Sequence, residues 1–172
     1  TGRSGVGIEL QPKYATIARQ RLEAQLAQTR LIVSGGEIHQ LRFRLLQGAA
    51  FRLAALEIGD VAYCITSPPY WSMLRAKGSE TQKTRKEAGL DVHYSEDESD
   101  LGNLEDYDEF VARLVDLYRL VHRVLRPGAY LTVIAKNVKK RGRMYPLAWD
   151  LARELSDTYI LKDEKIWCQD DI

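Results

Sequence analysis

The sequence predicts an α/β fold with a doubly wound, mostly parallel sheet. Three observations carry that expectation. Strand-like and helix-like stretches alternate along the chain, the pattern of parallel strands joined by crossover helices. Ala129 to Ala135 is a continuous apolar run, as expected of a strand covered on both faces. A third run, Val61 to Ile65, leads into Ser67-Pro68-Pro69-Tyr70-Trp71 and stops there, because neither proline has an N–H and both have a fixed φ.

Taken in order, Ser4 to Glu9 reads as a short strand ending in an acid. Pro12 suits a first helical turn, and Tyr14, Ile17, Ala18, Arg21 and Leu22 follow at helical spacing, giving an amphipathic helix to about Gln28. Leu31 to His39 is ambiguous, with Gly35-Gly36 marking a turn. Leu41 to Leu46 alternates apolar and basic residues as a strand, and Phe51 to Leu56 reads as a short helical turn. Residues 72–106 are polar, charged and weakly periodic, which predicts a long flexible loop. Tyr107 to Leu125 is a helix with Phe110, Leu114, Leu117 and Val121 on one face and Val111, Val115 and Tyr118 beside it. Arg126-Pro127-Gly128 ends it before the Ala129 strand. Lys136 to Arg143 then reads as a basic loop, Pro146 to Leu155 as a helix and Tyr159 to Cys168 as a final strand.

Composition sets bounds. A chain of 172 residues, 45% apolar and 28% charged, is expected to be one domain with a sizeable core. It opens and closes next to strand-like runs, so 1–172 reads as a single partial domain truncated at both ends. The formal net charge of +1 leaves polyanion binding to local patches. Cys64 and Cys168 form no metal-type pair, Cys64 reads as a small buried hydrophobe, and His39, His93 and His122 lack metal-ligand spacing, so no metal is expected. No apolar run reaches membrane-spanning length and no signal peptide is visible, which predicts an intracellular protein with no membrane partner. Trp149 and Trp167 are expected in the core, whereas Trp71 either lines a pocket or packs beneath the loop.

In open α/β sheets ligands bind beyond the carboxyl ends of the strands. Glu9, Gly48-Ala49 and Ser67 to Tyr70 all fall at such ends. Around Pro68 and Pro69, carbonyls lie free of competing N–H donors, and an aromatic ring stands beside them. That suits a flat molecule bearing an exocyclic amine, such as a nucleobase. Glu9 reads either as a helix cap or as an acceptor for ribose hydroxyls. The basic clusters Arg75 to Lys86 and Lys136 to Arg143 follow the two central strands and open toward the same edge, either as phosphate contacts or as solvated loops.

These residues resemble the amino-methylating DNA methyltransferases, which act on cytosine N4 or adenine N6. Thr66-Ser67-Pro68-Pro69-Tyr70-Trp71 is similar to the family's catalytic segment. Gly2 to Glu9 with Pro12, Tyr14, Ala18 and Leu22 resembles its second strand and following helix. Leu101-Gly102, the Tyr107 helix, Arg126-Pro127-Gly128 and the next strand resemble its middle section. The resemblance implies a Rossmann-like methyltransferase sheet and S-adenosylmethionine as cofactor, contacted by Glu9, Leu10, Gly48 and Ala49. It also implies double-stranded DNA as partner, with its target base flipped. Ser67, Pro68, Pro69 and Tyr70 would be catalytic, Ser67 and the Pro68 carbonyl holding the amine and Tyr70 stacking on the base. Arg75, Lys77, Lys139, Lys140, Arg141 and Arg143 would bind nucleic acid. A cytoplasmic, prokaryotic or phage setting is implied, with a cognate restriction endonuclease as a further partner.

Ser rather than Asp at position 67 favours cytosine N4; adenine N6 is the alternative, as are an RNA or free-base substrate. Carbon-5 cytosine methylation uses a cysteine usually preceded by proline, and the sequence has no Pro-Cys pair. Two departures favour a third alternative, an inactive nucleic-acid-binding module. The family's Phe-x-Gly-x-Gly loop, which would precede Thr1, is absent, and Ala49 stands where the family often has an acid. Gly2, Gly5 and Gly7 precede Ile8-Glu9 and so belong to the second strand rather than to that loop. No separate target-recognition domain is visible in residues 1–172.

Overall fold

The computed structural model describes residues 3–28, 33–34, 37–38, 42–69, 71, 97 and 99–167. It is a mixed helix–strand protein in which the described residues fall into two compact units, one drawn from Thr1–Leu56 and Ser95–Asp100, the other from Glu57–Tyr94 and Leu101–Ile172.

In the first unit, β1 (Gly5–Glu9) runs parallel to β4 (Phe43–Gln47), with Gly5 opposite Phe43 and Glu9 opposite Gln47. Helix α1 (Pro12–Gln28) makes the crossover and packs on β4, with Ala15 sealed beneath it. This is the parallel strand–helix–strand unit that the alternating pattern predicts. Between them, β2 (Val33–Ser34) and β3 (Glu37–Ile38) form an antiparallel pair in the stretch whose sequence is ambiguous; Gly35 and Gly36 lie outside the described residues. A 3₁₀ helix, Ala50–Ala55, follows β4.

The second unit is built on β5 (Val61–Thr66) and β6 (Leu125–Val133), again parallel. Helix α2 (Tyr107–Val124) precedes β6 and is capped by Asp106, whose carboxylate accepts from Glu109 N at 2.8 Å. Asp108 and Glu109 in its first turn and His122 and Arg123 in its last match the helix dipole. Its buried face is Phe110, Val111, Leu114, Val115, Tyr118 and Val121, as the periodicity predicts. Helix α3 (Leu147–Glu154) packs against it through the buried Leu147 and Leu151.

Several expectations need correction. Arg126-Pro127-Gly128 is not a separate stop: β6 begins at Leu125 and absorbs these residues in a bulge, the register passing from Val61–Leu125 to Tyr63–Tyr130. Gly128 at φ +76° makes the bulge possible. The basic loop is a hairpin, β7 (Val138–Lys140) against β8 (Arg143–Tyr145). Its turn is Arg141-Gly142, both at positive φ as a two-residue hairpin with the twist of its strands requires. Tyr159 to Trp167 forms no strand, because a strand needs a ladder partner and none is made among the described residues; Cys168 lies outside them. Trp149 and Trp167 are not core: they are 64% and 88% exposed. The β5–β6 pair is also less covered than a continuous apolar run suggests, with Tyr63, Ile65, Tyr130 and Ile134 exposed. Within the long stretch expected as a loop, Leu101–Asn103 forms a 3₁₀ turn.

Gly48 anchors the carboxyl end of the first parallel pair. Its N–H donates to Glu9 O at 2.9 Å, and its φ is +144°. Arg52 folds across it to donate to the Gln47 carbonyl, so an added Cβ would lie 2.5 Å from Arg52 Cδ. Gly48→Ala is therefore expected to cost about 1–3 kcal/mol, read as a lower urea midpoint; an unchanged midpoint would show that this backbone conformation is not required.

Candidate functional site

Two strand-end sites arise, one in each unit. In the first, the β1–β4 register brings Glu9, Leu10, Gly48 and Ala49 together at the carboxyl edge, all partly buried. Glu9 Oε1 accepts from Gln11 N at 2.8 Å. The carboxylate thus caps the entry to α1 through one oxygen, and its second oxygen is chemically suited to a ribose hydroxyl. The space that the missing Cβ leaves at Gly48 is taken by the Arg52 side chain.

In the second unit, β5 pairs with β6 through its last residue: Thr66 O accepts from Ile134 N at 2.8 Å. Pairing then ends at Ser67-Pro68-Pro69, where Ser67 is exposed, Pro68 buried and Pro69 half-buried. Tyr70 lies outside the described residues, as do Arg75 and Lys77. The turn therefore stands at the carboxyl end of a parallel strand, with its serine open to solvent.

Trp71 closes the turn and is 3% exposed. Its indole meets Tyr107 at the start of α2 edge-on, ring centroids 5.1 Å apart, and Tyr145 of β8 at 4.7 Å. Tyr107 and Tyr145 meet each other at 4.8 Å, so three rings form one cluster. Lys140 Nζ lies 4.0 Å from the Trp71 ring centroid, and the Arg143 guanidinium lies over Tyr145 at 5.0 Å. Trp71 is buried and also lines a cleft; residues 72–96 of the loop beneath which it is expected to pack lie outside the described residues.

That cleft, about 310 Å³, is lined by the aromatic Trp71, Tyr107 and Tyr145, the basic Lys140, Arg141 and Arg143 and the acidic Glu105, Asp106 and Asp108. Lys139, Arg141 and Arg143 are exposed on the hairpin, and Lys140 is half-buried against the indole. The hairpin is seated by Asn137, whose Oδ1 accepts from Ala148 N at 3.2 Å. This contact supplies the cap that Pro146, at the start of α3, has no side chain to make. Tyr107 OH donates to Asp150 Oδ2 at 2.6 Å. Burial first, then this bond and the negative charges of Asp150 and Asp108, push the Tyr107 phenol well above its ordinary value. Sequence reasoning missed the pairing of Tyr107 with Tyr145 and the role of Asp150, because residues far apart in the chain carry no spacing signal.

Among the described residues no group of His, Cys, Asp and Glu is arranged to hold a metal, and no helix is long and apolar enough to cross a membrane. No family model matches the chain, nor does any curated protein or solved structure.

Behind the site, burial pushes Tyr118 upward as well, and Tyr159, whose hydroxyl donates to Tyr118 O at 2.7 Å, is pushed up to about 12. The fold favours the neutral phenols. Their contribution is complete below the ordinary tyrosine value near 10 and is lost as pH rises, for Tyr159 through about 12. Urea midpoints are expected to fall across that alkaline window and to fall less steeply in Tyr159→Phe. Identical slopes in the two proteins would contradict the assignment.

Proposed function

We propose that this protein transfers a methyl group from S-adenosylmethionine to the exocyclic amine of a flipped DNA base, with cytosine N4 preferred. The observation that carries the reading is the Ser67-Pro68-Pro69 turn at the carboxyl end of β5, held to β6 by Ile134 and open at Ser67. The reading brings with it a Rossmann-like doubly wound methyltransferase fold, whose building block is the parallel strand–helix–strand unit seen here.

Each role follows from chemistry. The Pro68 carbonyl and the Ser67 hydroxyl accept the two N–H bonds of the base amine. Accepting them draws the nitrogen lone pair out of conjugation with the ring and fixes its direction. Tyr70 stacks on the base and holds its plane. Glu9, with Leu10, Gly48 and Ala49, would hold the ribose side of S-adenosylmethionine, which when bound supplies an electrophilic methyl carbon on sulfonium. With the cofactor bound, the amine nitrogen held by Ser67 and Pro68 would take that methyl group as the carbon–sulfur bond breaks, and its surplus proton would leave to solvent. Orientation and exclusion of water do the work, without a covalent bond to the protein. Lys139, Lys140, Arg141 and Arg143 on the hairpin, with Arg75 and Lys77, contact phosphates and set the position of the DNA without reading its sequence.

The rival reading is a nucleic-acid-binding module without catalysis, favoured by Ala49 at the position where an acid would contact the cofactor's adenine. Calorimetry separates the two, since only the enzyme binds S-adenosylmethionine. The direct test is transfer of labelled methyl to DNA by the wild-type protein and by Pro68→Ala/Tyr70→Ala. Transfer is expected to drop by roughly 10²-fold or more in the double variant, with an unchanged thermal midpoint. Full activity in that variant would remove the roles assigned to the turn.

A further inference from the structure

The turn is fixed from both sides. Before it, the Thr66 carbonyl is held by Ile134 N at 2.8 Å. After it, Trp71 is wedged between Tyr107 and Tyr145. The link between these anchors is four residues long and two of them are prolines with fixed φ, so the seat of the indole bears on the setting of Ser67 and Pro68. The same indole carries the Lys140 ammonium on its face, 4.0 Å from the centroid. Lys140 belongs to the hairpin whose other cations, Lys139, Arg141 and Arg143, are exposed.

We propose that Trp71 is the positioning residue of the amine-holding turn, and that it couples this turn to nucleic-acid backbone bound at the basic hairpin through Lys140. A phosphate arriving at the hairpin competes with the indole for the Lys140 ammonium. Backbone occupancy therefore changes the support beneath Trp71 and, through the proline link, the setting of Ser67 and Pro68. The indole N–H is buried and has no hydrogen-bond partner among the described residues, so the position uses the ring and not its donor. A phenyl ring should then substitute, whereas a branched aliphatic side chain, with no π face for Lys140 and no edge contacts for the tyrosines, should not. The inference rests on the methyl-transfer reading above, and its test has one arm that does not.

That arm uses Trp149→Phe/Trp167→Phe, two exposed positions outside the site, which leaves Trp71 as the emitting tryptophan. Titration with a short mixed-sequence duplex is expected to shift Trp71 emission in a salt-sensitive way, and adding Lys140→Gln should abolish the shift. The second arm is kinetic. Trp71→Phe should keep kcat within about threefold, while Trp71→Leu should lower kcat by roughly 10²-fold without raising KM for the duplex, since the ring that competes for Lys140 is gone. Emission that stays constant at saturating duplex overturns the coupling. A Trp71→Leu protein that keeps its kcat, or loses it only in step with its thermal midpoint, overturns the positioning role. Absence of methyl transfer by the wild-type protein would defeat the enzymatic reading, and the emission arm would still decide whether hairpin and indole are coupled.

Discussion

The hydrogen bond from Ile134 N to Thr66 O, at 2.8 Å, is the last rung of the β5–β6 pairing before the prolines. Up to that point the backbone is committed to a ladder. Beyond it Pro68 and Pro69 have no N–H to donate, while their carbonyls still need partners. A ladder that ends abruptly at the carboxyl edge of a parallel pair leaves rigidly placed acceptors where ligands of α/β proteins bind. The proposed chemistry depends on that constraint more than on any charged group, because orienting an amine needs fixed acceptors and no titrating side chain.

The surroundings divide the labour. The aromatic cluster of Trp71, Tyr107 and Tyr145 stiffens the ground behind the turn, and the hairpin spreads exposed cations beside it. Acids among the residues lining the cleft keep the local charge mixed. Phosphate binding would therefore come from the hairpin's outward face, consistent with a chain whose net charge is only +1.

Much of this was legible in the sequence, for reasons that can be named. Helix α2 follows from the periodicity of Phe110, Leu114 and Val121, and α1 from Pro12 and the spacing after it, because each helix carries its signal within itself. The proline turn was legible because proline's constraint is covalent. Partner-dependent features were not. Tyr159 to Trp167 reads like a strand yet makes no ladder among the described residues, and Trp149 lies 64% exposed, its indole donating to Glu164 at 3.1 Å. The hairpin hid behind its charge: Arg141 at φ +50° is an unusual residue for a primed turn, and only Gly142 hinted at it. The meeting of Trp71 with Tyr107 and Tyr145 required the fold itself.

The claim that the turn presents a base amine for methylation is tested most directly by incubating the protein with DNA and isotope-labelled S-adenosylmethionine, then digesting the DNA to nucleosides for mass spectrometry. Label in N4-methylcytosine is the expected result, and label in N6-methyladenine would keep the mechanism while moving the base. Label in 5-methylcytosine, or in no nucleoside at all, would contradict it.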